Sequence, residues 1–351
     1  MRASEHQRLD GLADDDWRRL FSGHPDSLAM MRLMQECGMD GIEFSSIVVR
    51  DGQRAVLALP LFEVRFRLAN LLDGWLRRVS GWIAPKLLGA GLVEGEWGQA
   101  GVAAEANAEA WRVAIEALRR KARTDRADMI VLLNFTPSAV NALPADWARS
   151  LARIDTIPCA QLKIDFADVE EYMARLSKNM RKDLRRKLSN AAGIEIVRTT
   201  DIAPRLDRIE TLYRTTVNRA EMSLGIQRGA FFERVCAAVP GAHYVLYLRD
   251  GELVAFNLLV KQDGLLIDKY FCMDEKLGRE LNLYFVSWME NVRYCCQEKL
   301  CVYHAGPGAE ATKARLGARF IPSVTLFRHR NAAVHWLLAL LKPLIRYRPG
   351  V

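Results

Sequence analysis

At 351 residues the chain is long enough for two domains of ordinary size, each with its own core. A hydrophobic share of 50% and a charged share of 26% exclude a disordered chain. Fifty Lys and Arg against 42 Asp and Glu leave a formal net charge of +8, which favours an anionic partner: a nucleotide cofactor, a nucleic acid or an acidic lipid surface.

The N-terminal stretch "MRASEHQRLDGLADDDWRRL" has no apolar run of signal-peptide length, and no run of about 18 uncharged apolar residues follows anywhere. The expectation is a cytoplasmic chain without a membrane span. Its seven cysteines are scattered and odd in number, so they read as reduced thiols. Cys295 and Cys296 are adjacent, lack CxxC spacing and have no nearby His set; no metal site is predicted.

In chain order, "EFSSIVVRDGQRAVLALPLFEVRF" reads as strand, Asp-Gly turn, strand. From Leu68 to Ile83 the residues Leu68, Leu71, Leu72, Trp75, Leu76, Val79, Trp82 and Ile83 follow helical spacing between Arg65, Arg67, Arg77, Arg78 and Lys86. That pattern suits a helix lying in an anionic membrane interface, or one packed on the protein's own core. "AEAWRVAIEALRRKAR" is a helix, and "DTIPCAQLKIDF" a crossover into a second half.

The second half opens with "EEYMARLSKNMRKDLRRKLSNAAG", read as one helix. Met173, Leu176, Met180, Leu184 and Leu188 share a face, and Gly193 provides a stop. Seven cations, Arg175 to Lys187, crowd the rest. They form either a solvated face or a phosphate clamp; no aromatic residues interleave with them, so nucleic acid is an unlikely partner. "HYVLYLRDGELVAFNLLVKQDGLLIDKYFCM" gives three strands joined at Asp250-Gly251 and Asp263-Gly264, then "ELNLYFVSWMENVRYCCQE" a helix. The apolar strand "KLCVY" ends at His304, ahead of "AGPGAEATK". The tail repeats the basic amphipathic pattern: Val334, Leu337, Leu338, Leu341 and Ile345 form a stripe beside Trp336, among Arg328, Arg330, Lys342, Arg346 and Arg348.

Taken together, "MRKDLRRKL", "LDRIETLYRTTVNRA", "FFERVCAAVPGAHYVLYLRDGELVAFNLLV", "DKYFCMD", "LYFVSWMENVRYC" and "YHAGPGAEATKARLGA" resemble the acyltransferase domain of the GNAT superfamily, and within it the FemAB-like branch of tandem domains. The resemblance spans about residues 170–327 and implies an α/β (α+β) fold of tandem GNAT-like domains, each a mixed central sheet flanked by helices; the two basic apolar stripes add the expectation of amphipathic membrane-facing segments. Expected bounds are 1–157 for a degenerate N-terminal domain, 158–327 for the acyltransferase domain and 328–351 for a basic tail.

The resemblance also implies acyl transfer from a thioester to an amine, which needs a base and a donor for the oxyanion. His304 is the expected base or amine holder, with Glu310 orienting it and Asp268 and Tyr270 beside the splayed strands. Donor binding falls to Gly278, Arg279, Asn282, Lys313, Arg181, Lys182 and Arg185. The phosphate loop "EKLGRELNLYF" lacks the second glycine of the family's pyrophosphate motif. No cofactor is expected to be tightly bound; the co-substrate is acyl-CoA or a thioester on acyl carrier protein.

The leading expectation is therefore an N-acyltransferase acting on a lipidic amine, such as the sphingoid base of bacterial ceramide synthesis, peripheral on an anionic inner membrane. The alternatives are a FemAB-like transferase using aminoacyl-tRNA in cell-wall synthesis and a non-catalytic envelope or exopolysaccharide assembly protein.

Overall fold

The computed structural model describes residues 1–66, 84–219 and 224–342. The amphipathic segment expected from Leu68 to Ile83, and the tail beyond Lys342, lie outside them. The described residues fall into two compact units: residues 1–157, 224–227 and 322–342 in one, 158–219 and 228–321 in the other.

In chain order the elements begin with β1 (Arg2–Gln7), α1 (Asp14–Leu20), α2 (Leu28–Cys37), β2 (Ile42–Asp51), β3 (Arg54–Arg65), β4 (Lys86–Ala90) and the short β5 (Gly101–Val102). Next come α3 (Ala108–Thr124), β6 (Met129–Phe135), α4 (Pro137–Asn141), α5 (Ala145–Arg149) and β7 (Ala152–Lys163). The chain continues with α6 (Val169–Arg175), α7 (Lys178–Asn190), β8 (Ile194–Thr199), α8 (Leu206–Arg219), α9 (Gly229–Ala238), β9 (Ala242–Arg249), β10 (Glu252–Gln262) and β11 (Leu265–Met273). It closes with α10 (Glu275–Glu280), α11 (Leu283–Gln297), β12 (Val302–Gly306), α12 (Glu310–Arg315), β13 (Arg319–His329) and α13 (Ala332–Leu341).

The two units follow one plan. In the first, β1 to β4 pair antiparallel in sequence order, β6 joins β4 in parallel, and β13 closes antiparallel to β6. In the second, β8 to β11 pair antiparallel, β12 joins β11 in parallel, and β7 closes antiparallel to β12. Each sheet therefore takes its closing strand from outside the run that builds the rest. "DTIPCAQLKIDF" is accordingly no linker: most of it lies in the twelve-residue strand β7.

Local chemistry explains the element ends. The Asp250-Gly251 and Asp263-Gly264 turns have both residues at positive φ, +52° and +81°, +47° and +76°. This geometry matches the right-handed twist of the flanking strands, and only glycine adopts it without strain. In α3, Ala110, Trp111, Ala114, Ile115 and Leu118 recur at helical spacing and bury against Leu57, Leu59 and Leu61. The second core packs Leu283, Val286, Trp288 and Val292 of α11 with Tyr247, Leu259 and Leu266 from the sheet, each full leucine burial contributing about 2 kcal/mol.

Two expected helices are corrected. The basic helix is broken: Leu176 is extended at ψ 157°, and Ser177 Oγ accepts from the Met180 amide at 3.2 Å, so α7 starts afresh. It also ends at Asn190, ahead of Gly193. The helix read from Glu280 starts only at Leu283, because Asn282 is left-handed at φ +55°.

Candidate acyl-transfer site

The site is built where β11 and β12 part. Their parallel pairing covers Leu265↔Val302, Leu266↔Tyr303 and Ile267↔His304 and ends there. Beyond it, β12 stays paired with β7 and β11 with β10, so the ladder parts in a cleft of its hydrogen bonding between Asp268 on one strand and Ala305 on the other, with the strands still close: a Cβ at Gly306 would lie 3.7 Å from the Asp268 carbonyl oxygen.

A β-bulge decides what faces this cleft. Leu259 pairs with Asp268 and Leu258 with Tyr270, which leaves Lys269 as the extra residue. The bulge turns Asp268 and Tyr270, two apart in sequence, to opposite faces. Tyr270 packs among the rings of Tyr213, Phe231 and Phe232 from α8 and α9. Asp268 turns toward α11.

There it organises a polar network inside an apolar core. Asp268 Oδ1 accepts from Asn257 Nδ2 at 2.8 Å; Oδ2 accepts from Tyr303 Oη at 2.9 Å and Asn291 Nδ2 at 3.2 Å. Asn257 Oδ1 in turn accepts from Tyr247 Oη at 2.9 Å and Ser287 Oγ at 2.8 Å. Burial, and then the Asp268 charge, push the Tyr303 hydroxyl well above its ordinary pKa, so it remains a protonated donor. Tyr247 is raised for the same leading reason.

His304 follows Tyr303 and therefore takes the other face of β12. It is buried, its ring held by the Gln161 side-chain amide, with Nδ1 3.9 Å from Cys159 Sγ. His304 and Asp268 thus stand at the head of the cleft on different strands and different faces.

Residues 178–314 match the model of the acetyltransferase (GNAT) domain family. This unit holds a GNAT domain. Among solved structures, FemX covers 97% of this chain with 100% of its own, at 12% identity and a TM-score of 0.60. A tandem GNAT protein from the clavulanic acid biosynthesis pathway covers 94% with 99% of its own, at 16% identity and 0.55. The C-terminal domain of a putative lysylphosphatidylglycerol synthetase from Agrobacterium fabrum covers 94% with 96%, at 14% identity and 0.55. At these identities the likeness is one of fold: a mixed α/β architecture of the tandem GNAT kind. No curated protein sequence matches the chain significantly.

From the last residue of β12 of the GNAT domain onward, Gly306, Gly308 and Ala309 take positive φ, +68°, +81° and +53°. Lys313 is buried beneath this loop and donates to the carbonyls of Ala305 at 2.7 Å, Gly306 at 2.9 Å and Pro307 at 2.9 Å. An ammonium has three protons, and all are directed into these bonds, so Lys313 holds the loop rather than offering itself to a phosphate. Because each trans peptide sets N–H opposite C=O, the Gly308 amide points away from Lys313; separately, a Cβ added at Gly308 would meet nothing within 4 Å. Glu310 opens α12 with Oε1 buried and without a hydrogen-bond partner among the described residues. The Tyr284 hydroxyl is likewise buried and unpaired, and its pKa is raised by burial, then by the Asp268 and Glu310 charges.

The expected donor-binding residues divide. Asp274 caps α10 by accepting from the Lys276 and Leu277 amides, both at 3.1 Å. Burial opposes its charge, but those amides and Arg208 outweigh it and hold the carboxyl below its usual range. Gly278 is fixed by packing, since a Cβ there would meet Met273 Sδ at 2.6 Å. Arg279 is exposed and paired with Glu275 at 3.1 Å. Asn282 caps α11 without a side-chain bond to the helix's first amides, which stay uncapped by it.

Arg181 donates to the carbonyls of Leu176 and, at 2.9 Å, Ala174, closing the end of α6. Lys182 and Arg185 are exposed, with no ion pair among the described residues. Lys187, unremarked as a site residue in the sequence, pairs with Asp183 at 2.9 Å and lies 3.6 Å over the Phe285 ring. It carries a cation to the first turn of α11. The other residues that sequence reasoning missed, Asn257, Ser287, Asn291 and Tyr303, had one signal: polar groups set inside apolar runs, as in "LVAFNLLV" and "FVSWMENV".

Proposed function

We propose that this chain is an N-acyltransferase that moves a long-chain acyl group from a thioester to an amphiphilic amine at an anionic membrane surface, a sphingoid base being the acceptor to try first. The observation that carries it is the parting of β11 and β12 within a GNAT domain, with His304 and Asp268 at the head of the cleft. A GNAT fold ordinarily uses acyl-CoA as co-substrate without a tightly bound cofactor.

The amine nitrogen attacks the thioester carbonyl; the C–N bond forms, the C–S bond breaks, and the thiolate leaves. His304 takes the proton the nitrogen loses, and the thiolate regains one from solvent. The Gly308 amide, aimed away from Lys313, would steady the oxyanion in this reading. The uncapped first turn of α11, with Lys187 beside it and the exposed Lys182 and Arg185 on α7, suits the phosphates of CoA or of a carrier's pantetheine arm. The tail helix α13 supports the amphiphilic acceptor, because it presents large apolar side chains to solvent.

The test is transfer by the purified full chain from long-chain acyl-CoA and acyl carrier protein to a sphingoid base, with a small soluble amine for comparison and amide formation followed by mass spectrometry. Amide on the long-chain amine supports the reading. Acylation of the soluble amine alone, or transfer only from aminoacyl-tRNA as the FemAB-like alternative requires, overturns it.

A further inference from the structure

The helix α13 carries an interaction surface whose face differs from the stripe the sequence suggests. The Asn331 carboxamide caps it, accepting from the Ala333 amide at 2.9 Å and the Val334 amide at 3.2 Å. Its start is tied down by Arg330, which pairs with Asp128 at 3.0 Å. One side is seated: Leu338 and Ala339 pack against the cluster containing Val131 and Phe327, and the His335 ring lies 6.1 Å from that of Phe327. At 100° per residue, positions 335, 338 and 339 define an inward arc, and 336, 337, 340 and 341 fall on the opposite side.

Exposure follows that arc. Trp336 is 70% exposed, Leu340 68%, Leu337 55%, Leu341 39% and Val334 37%. Five large apolar side chains on one seated helix make a contiguous patch, unlike the single exposed leucines that any surface carries. Cations stand at both ends, Arg328 and Arg330 before the helix and Lys342 after it, all exposed.

From this arrangement we infer that the outer face of α13 docks the protein onto an anionic lipid bilayer, with Trp336 and Leu340 entering deepest. Tryptophan at the headgroup boundary, leucines beneath and cations at the rim are the components of interfacial binding. Among the described residues no helix is long and apolar enough to cross a membrane, and α13, about 15 Å long, would lie along the surface. A second copy of the chain is a poorer occupant. A helix face about 15 Å by 10 Å falls well short of the roughly 800 Å² per partner that a stable dimer buries. The inference deepens the membrane-surface part of the proposed function and rests on that part, not on the chemistry, since docking requires no turnover.

The test is flotation of the full chain, without acyl donor, with phosphatidylcholine vesicles and with vesicles also containing phosphatidylglycerol. It is compared with Trp336→Glu/Leu340→Glu and with Trp336→Phe, and light scattering gives the oligomeric state of each. The wild type should float with the anionic vesicles, less as salt rises. The double variant should lose at least about a hundredfold in partitioning while keeping its thermal unfolding, because both changes lie on the solvent side. Trp336→Phe should retain most of the binding. Three outcomes overturn the inference: no binding by the wild type, equal binding by the double variant, or a wild-type dimer that the double variant converts to monomer without any vesicle binding. Loss of acyl transfer without loss of flotation would bear on the proposed reaction alone.

Discussion

Tyr303 donates its hydroxyl to Asp268 Oδ2 at 2.9 Å across the point where their two strands cease to pair. The last parallel pair is Ile267↔His304, so the bond replaces main-chain pairing at the head of the cleft with a side-chain brace. Asn291 from α11 and Asn257 from β10 complete it. A brace of this kind ties the two strands to each other, and to α11 and β10, at the point where main-chain pairing stops.

Asp268 is therefore expected to act on the fold before it acts on chemistry. Asp268→Ala removes the acceptor of three hydrogen bonds and leaves Tyr303, Asn257 and Asn291 with donors in a core. It should lower stability by about 3 kcal/mol in urea unfolding. A loss of activity with wild-type stability would instead make Asp268 a catalytic group.

His304 carries the opposite expectation. His304→Ala should lower turnover by about two to four orders of magnitude with the fold intact, the Gln161 amide and the Cys159 thiol being among the groups that face the lost ring. Cys159→Ala should change turnover by less than about threefold, as direct transfer needs the imidazole and not the thiol. Equal loss in both variants would point to an acyl-cysteine intermediate, and normal turnover in His304→Ala would make the histidine structural.

The basic helix offers a separation of roles. Reversing charge at Lys182 and Arg185, which are exposed, should raise the Michaelis constant for the acyl donor, and the effect should shrink as salt screens it. Arg181→Glu should act on stability, by about 1 kcal/mol, because its guanidinium closes α6 through the Ala174 and Leu176 carbonyls. Michaelis constants at several salt concentrations, set beside thermal melts, distinguish the two.

How much of this was legible in the sequence depends on the range of the interaction concerned. Hairpins at Asp250-Gly251 and Asp263-Gly264 are written in two adjacent residues, and α3 in its apolar spacing. The opposed faces of Asp268 and Tyr270 are not, because the bulge at Lys269 exists only once β10 sets the register. The outward position of Leu340 and the inward position of Leu338 follow from what α13 packs against. Lys313 read as a phosphate ligand because a sequence cannot show that three carbonyls from six to eight residues earlier already hold it. Ser177, an ordinary helix cap, divides the basic segment although its apolar spacing runs straight through.

The last expectation concerns acid stability and the loop that opens α10. Asp274 has a carboxyl held below the ordinary range; burial opposes this, while the Leu277 and Lys276 amides and Arg208 produce it. A group whose folded pKa is depressed contributes stability that is fully present above its unfolded value, near 4, and lost as pH falls through the folded value. Asp274→Asn retains an oxygen to accept from the amides but no charge to titrate. The variant should be less stable than wild type at neutral pH, and the difference should close as both are acidified below about pH 4. Urea unfolding at neutral and acid pH measures it. A gap independent of pH would mean that Asp274 stabilises the loop through geometry alone, with its pairing to Arg208 contributing nothing.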